Sequence, residues 1–241
     1  MPAGREVGAD WELERTSVGR HFLRDMEGLW TDVLEMAAVV ESTLNVSLRA
    51  LRDGRAELAA AVKGEEEVVD AWEVRIERAC VKVLALHQPV ASDLRRVAAI
   101  LRVNGDLERI ADLSSHIANR ARKLARGPDH APSPPELEDM ATLVQARVRD
   151  ALDALTKADV ALARAVIVGD KEVDRIRRVV LRQLKQAIRQ DPEQVNAWLR
   201  LINTARNLER IADHSASIAE AVIYMKEGDI VRHAGAAKGE Q

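Results

Sequence analysis

Apolar residues recur at steps of three and four along most of this chain. Between about Ser17 and Leu51 they fall at Leu29, Val33, Met36, Val40, Leu44 and Leu48. That spacing marks one face of a helix, so the stretch is predicted as a single long amphipathic helix. Gly54 interrupts it. A short helical stretch holds Ala56–Val62, and another runs from about Glu65 to His87 with Val69, Trp72, Ile76, Ala79 and Val83 at helical steps. Pro89 marks a turn and suits a helix start; the helix after it is predicted to reach about Ala125. The Pro-rich stretch Arg126–Glu136 reads as a linker.

Beyond the linker the plan repeats. Leu137, Met140, Val144, Val148, Leu152 and Leu155 define another long helix, Val160–Val166 echoes Ala56–Val62, and Gly169 precedes "DKEVDRI" as Gly64 precedes "EEEVVDAW". The hexapeptide "LERIAD" occurs at Leu107–Asp112 and again 101 positions later at Leu208–Asp213. A period of that size marks a duplicated structural unit. The expected fold is all-α: a tandem pair of three-helix bundles, six long helices in antiparallel order joined by short turns. The bundles are expected over residues 17–126 and 135–227, with a linker at 127–134 and flexible tails at 1–16 and 228–241.

Composition narrows the rest. Aromatic residues make up only 2% of the chain, which suits helices better than sheets. The formal net charge of −3 gives no sign of a nucleic-acid partner. No apolar run is long enough to span a membrane, and the N-terminal stretch lacks the apolar core of a signal peptide. Cys80 is the only cysteine, so no disulfide framework or thiolate metal cluster is expected. It reads as a small buried hydrophobe, and a reducing cytoplasm is the expected compartment.

The candidate chemistry lies in the acids. Glu108 and Asp112, like Glu209 and Asp213, sit four residues apart, adjacent on one helix face, where like charges repel. With Asn104, Ser115 and Asn119 the first pair forms a polar stripe beside the apolar one, and the preceding helix offers Glu66, Asp70, Glu73 and Glu77 at matching steps. Facing each other in a bundle, these carboxylates cannot all stay ionised without a cation or raised pKa values. Hard or borderline ions (Mg²⁺, Mn²⁺, Fe, Zn²⁺ or Ca²⁺) accept carboxylate oxygens, and bundles build metal sites from facing helices. The plainer alternative is a solvated face on which Arg109 and Arg210 screen the acids. Two aligned copies favour the metal.

His214 has two readings, a ligand beside Asp213 or an ordinary hydrogen-bonding residue; the second is favoured. His87 is read as a cation at a helix end. No Glu-x-x-His lies beside the acidic stripes, and there is no phosphate-binding Gly loop or recognisable nucleophile. A non-enzymatic role is therefore expected, with a metal-dependent carboxylate-bundle enzyme or a purely structural helical protein as alternatives.

The segments Gln88–Ala118 and Asp191–Glu220 resemble the two signature segments of the PhoU family, and the likeness extends from Arg20 to His233. The resemblance implies a metal-binding, cytoplasmic negative regulator of the phosphate-starvation response and of phosphate transport. It implies the phosphate ABC transporter, through its ATPase subunit, and a sensor histidine kinase as partners, and it favours a homodimer. The family's metal motifs map onto Glu108, Asp112, Glu209 and Asp213, with Glu66, Asp70, Asp170 and Asp174 on the facing helices. Leu113 departs from the family's Asp-His continuation, and Ala111 and Ala212 stand where the family often has Gly.

The two copies are not equivalent. Aligning Asp70 with Asp174 places Arg177 at the position of Glu73 and Leu181 at that of Glu77, while Arg206 replaces Gly105. A guanidinium pairs well with carboxylates, so the first copy is expected to bind a divalent metal more tightly.

Overall fold

The computed structural model describes residues 8–126 and 132–231, leaving aside the side chains of residues 8–18 and of Asp170. The helices are α1 (Gly8–Asp53), α2 (Leu58–His87), α3 (Ala91–Arg126), α4 (Pro135–Lys157), α5 (Val160–Gln190) and α6 (Val195–Glu227), with a 3-10 turn at Pro192–Gln194 before α6. There is no strand among the described residues.

Two expectations need correction. Residues 8–16 belong to α1 rather than to a loose tail; "DWELER" is rich in helix formers. Residues 1–7 lie outside the described residues. The stretches before and after Gly64 form one helix, as do those around Gly169. A lone glycine costs a helix only about 1 kcal/mol, and the packed faces on either side outweigh that. The ends of α1, α2, α4 and α6 fall where the backbone turns left-handed. Gly54 (φ 63°) closes α1, and Gly228 (φ 81°) closes α6 with its N–H donating to the Tyr224 carbonyl at 3.0 Å.

Helices α1–α3 pack on one another, and so do α4–α6, giving two bundles of the same helix order. The predicted apolar positions of α1 and α4 are all buried: Leu29, Val33, Met36, Val40, Leu44 and Leu48, then Leu137, Met140, Val144, Val148, Leu152 and Leu155. Leu107 and Leu208, the first residues of the two hexapeptides, are fully enclosed.

The bundles join through equivalent helices. The most extensive interhelix contact is α3 against α6, and α1 touches α4. On the α1–α4 side Gln145 donates to Asn45 at 2.7 Å and Arg149 pairs with Glu41 at 3.3 Å. Gln145 corresponds to Glu41 and Arg149 to Asn45, so the two contacts are related by a local two-fold, as in an isologous dimer interface. No helix is long and apolar enough to cross a membrane, among the described residues.

Candidate metal centre

The acidic stripes fall where helix periodicity places them, on α2 facing α3 and on α5 facing α6. In the first bundle the Asn104 amide donates to the Glu73 carbonyl at 3.0 Å and locks α2 against α3 at the middle of the stripe. At one end the Ser115 hydroxyl donates to Glu66. These two residues open onto a cavity of about 450 Å³ that Lys63, His116, Asn119 and Arg122 also line.

Glu108 and Asp112 are half-buried on α3, and Asp70 is exposed on α2. Burial pushes the Glu108 carboxyl above the ordinary range; Arg109 pulls it down, and Glu73, Asp112 and Asp70 push it further up. The like charges therefore converge on Glu108, as the stripe pattern requires. Arg109 lies 3.3 Å from Glu108 but is more than half exposed, which weakens its screening. His116 stands one turn beyond Asp112 at 3.7 Å and is more than half exposed.

In the second bundle the acids meet a guanidinium. Arg177 Nε lies 2.9 Å from Glu209 and 3.8 Å from Asp174. Asp213 is exposed to solvent, yet crowding by protein raises its pKa, Asp174 adds to the rise, and His214, Arg177 and Arg210 oppose it. The side chain of Asp170 lies outside the described residues.

The donor set of the first bundle suits a hard cation: oxygen ligands on facing helices, with charges that a cation would neutralise. Among the described residues no three His, Cys, Asp or Glu side chains are already drawn into a ligand cluster. The acids are held along the groove by their helices rather than gathered at a point.

His214 is a hydrogen-bonding residue that joins the bundles: its Nδ1 lies 2.9 Å from Asp106 Oδ1 across the α3–α6 seam. The Ser217 hydroxyl donates to Asp106 Oδ2 at 2.6 Å and accepts from Arg102, which also pairs with Glu220. The equivalent of His214 is Leu113, which is buried, and the Asn207 amide, equivalent to Asp106, lies 3.3 Å from the Leu113 carbonyl. Sequence reading missed Asp106. Its signal was a charged residue on a second apolar stripe of α3, with Val103, Ile110, Leu113 and Ile117. His87 likewise does more than end a helix: it lies 3.1 Å from Asp25 on α1 and lowers the pKa of that carboxyl. Cys80 is buried, and desolvation pushes its thiol up to about 12, as an inert core residue requires.

Glu108 yields a pH prediction. Its folded pKa lies above the ordinary 4.5, so ionising it penalises the fold. The penalty is absent below pH 4.5, where folded and unfolded chains are both protonated, and grows as the pH rises through the folded pKa. With metal chelated, Glu108→Gln should therefore unfold at a higher temperature than the parent at pH 7, and the gap should close below pH 4.5. A gap that widens in acid would show that a favourable partner holds Glu108.

A family model described as the PhoU domain matches residues 33–121 and 137–222. The phosphate-specific transport system accessory protein PhoU homolog of Pseudomonas aeruginosa is 37% identical over 218 residues, 90% of each chain. The protein of Serratia marcescens named phosphate-specific transport system accessory protein PhoU is 33% identical over 228 residues, 92% of this chain and 93% of that one. Among solved structures, the Pseudomonas aeruginosa PhoU crystal structure aligns with a TM-score of 0.84 at 36% identity, covering 86% of this chain and all of the other. The phosphate transport system regulatory protein PhoU from Streptococcus pneumoniae aligns with a TM-score of 0.79 at 25% identity, covering 87% and 99%.

Proposed function

We propose that this chain, which belongs to the PhoU family, is a metal-binding regulatory adaptor of phosphate uptake. It acts in the cytoplasm by protein–protein contact and restrains both phosphate transport and the phosphate-starvation response. The observation that carries this reading is the match of both halves of the chain to the family model, at residues 33–121 and 137–222. The relatives are named as accessory and regulatory proteins of phosphate transport, not as enzymes. The partners proposed are the ATPase subunit of the phosphate ABC transporter and a sensor histidine kinase. The long helical faces supply surface for both, and the net charge of −3 supports an action without DNA contact.

Glu66, Asp70, Glu108 and Asp112 would hold the cation in the first bundle, and Asp170, Asp174, Glu209 and Asp213 are the corresponding set in the second. A bound divalent or trivalent ion (Fe, Zn, Mg, Mn or Ca) would supply charge neutralisation and draw the facing helices together. A homodimer belongs to the same reading, and sedimentation at micromolar concentration checks it.

The deciding experiment is a pull-down on the tagged chain from phosphate-replete cells, paired with phosphate uptake in a strain lacking it. The ATPase and the kinase should be recovered, and uptake should stay high in replete medium. Recovery of neither, with normal uptake control, would overturn the proposal.

A further inference from the structure

The two bundles are closed differently at one end. Val33 aligns with Leu137 and Met36 with Met140, which sets Thr31 of α1 against Pro135, the first residue of α4. Helix α1 runs on for several turns before that point, and α4 does not. In the first bundle those turns close the end. Met26 and Leu29 are buried, Phe22 packs edge-on against His87 with ring centroids 5.4 Å apart, and Asp25 lies 3.1 Å from His87 and 3.5 Å from Lys82. At the same end Cys80 and Val83 on α2 and Val97 on α3 are sealed from solvent.

In the second bundle the same register leaves a cavity of about 520 Å³. Leu184, Ala187 and Trp198, the counterparts of Cys80, Val83 and Val97, give it an apolar floor, and Gln183, Asp191 and Gln194 give it a polar wall. Ala187 is only partly covered, whereas Val83 is buried. Trp198 Nε1, Gln183 Oε1 and Gln194 Oε1 are enclosed, yet have no hydrogen-bond partner among the described residues. Each glutamine spends its donor end locally, Gln183 on Glu136 at 2.7 Å and Gln194 on Asp191 at 2.8 Å, and leaves its oxygen unused. Enclosed polar atoms in native folds are almost always paired, so three orphans at one cavity mark a missing partner. The apolar floor beside them favours a protein side chain over water alone.

The charge at this end is reversed as well. His87 and Lys82, the basic pair around Asp25, correspond to Asp191 and Gln186. A position that suits an acid in the first bundle therefore suits a base in the second.

We propose that the open end of the second bundle is a docking groove for an amphipathic helix of a partner protein. The first bundle supplies the template. The docked helix carries large apolar residues at i, i+4 and i+7, as α1 carries Phe22, Met26 and Leu29, and an arginine or lysine where α1 has Asp25. That base pairs with Asp191 and donates to the unused glutamine oxygens. The α1 of a second copy fits less well, because it would bring Asp25 against Asp191. The groove lies apart from both acidic stripes, so it does not depend on the metal-binding reading.

The test uses the full chain and a fluorescein-labelled peptide with the sequence of residues 17–32 carrying Asp25→Arg, followed by fluorescence anisotropy. This peptide should bind saturably, and the unaltered peptide about tenfold more weakly. On the chain, Asp191→Lys should invert that preference. Ala187→Arg, which fills the floor, should abolish binding of both peptides, and Val90→Arg at the exposed turn of the first bundle should leave it unchanged. Circular dichroism confirms the helical content of each variant. Sedimentation of Ala187→Arg should match the parent. No binding of either peptide, or binding that survives Ala187→Arg, would overturn the groove. A preference that Asp191→Lys leaves in place would overturn the basic helix as its occupant. Loss of self-association in Ala187→Arg would overturn the partner protein and assign the groove to a second copy of the chain.

Discussion

Leu107→Ala and Leu208→Ala should each cost about 2–5 kcal/mol, and they should cost the same. Both side chains are fully buried, at equivalent positions of α3 and α6, each in the middle of its own three-helix core. Truncation removes the transfer free energy of the lost methyl groups and leaves a cavity that long, doubly packed helices cannot easily close. For a chain of this length the loss corresponds to a melting temperature lower by roughly 10 °C. One unfolding transition is expected in each case, because α3 and α6 form the most extensive interhelix contact and each bundle loses its partner surface when the other unfolds. Urea unfolding of the two variants checks this, with the half-exposed Leu199→Ala as a control that should change little. A loss below about 1 kcal/mol at either position would mean that its core can collapse around the gap.

The repeat and the helices were legible because they rest on period. A 101-residue offset and steps of three and four survive any detail of side-chain contact. The register that pairs Arg177 with Glu209 was legible for the same reason, since helices in equal order with the same apolar spacing bring the same offsets together. Gly64 and Gly169 misled because glycine often marks a break, while its real cost is smaller than the packing on either side. Asp106 was hidden for a different reason. Whether it faces water, the first core or α6 depends on how two finished bundles dock; the second apolar stripe of α3 marks a packed face but does not name its partner. Leu113 illustrates the same limit. As a departure from the PhoU pattern beside Asp112 it suggested an altered metal site, yet the structure places it in the α3–α6 seam, opposite Asn207.

Asp106→Ala should cost about 2–3 kcal/mol, which is large for a polar residue outside the two cores. The Asp106 side chain is only 12% exposed and accepts from two donors on α6, the Ser217 hydroxyl at 2.6 Å and His214 Nδ1 at 2.9 Å. Removing it strands both donors in the seam, and each unsatisfied buried group costs about 1–3 kcal/mol. It also loosens Arg102, whose guanidinium donates to the Ser217 hydroxyl. A fully buried ion pair broken on one side would cost about 3–5 kcal/mol, but His214 keeps an edge in water, so the expected loss falls below that. Asp106→Asn should lose about half as much. It keeps one acceptor, and an asparagine already occupies the equivalent place at Asn207. Metal uptake should not change in either variant, since Asp106 points to α6 while the acids of the first stripe face α2. Urea unfolding with and without Mn²⁺ separates the two effects. An asparagine variant as damaged as the alanine one would mean that the charge on Asp106, rather than its two hydrogen bonds, joins the bundles.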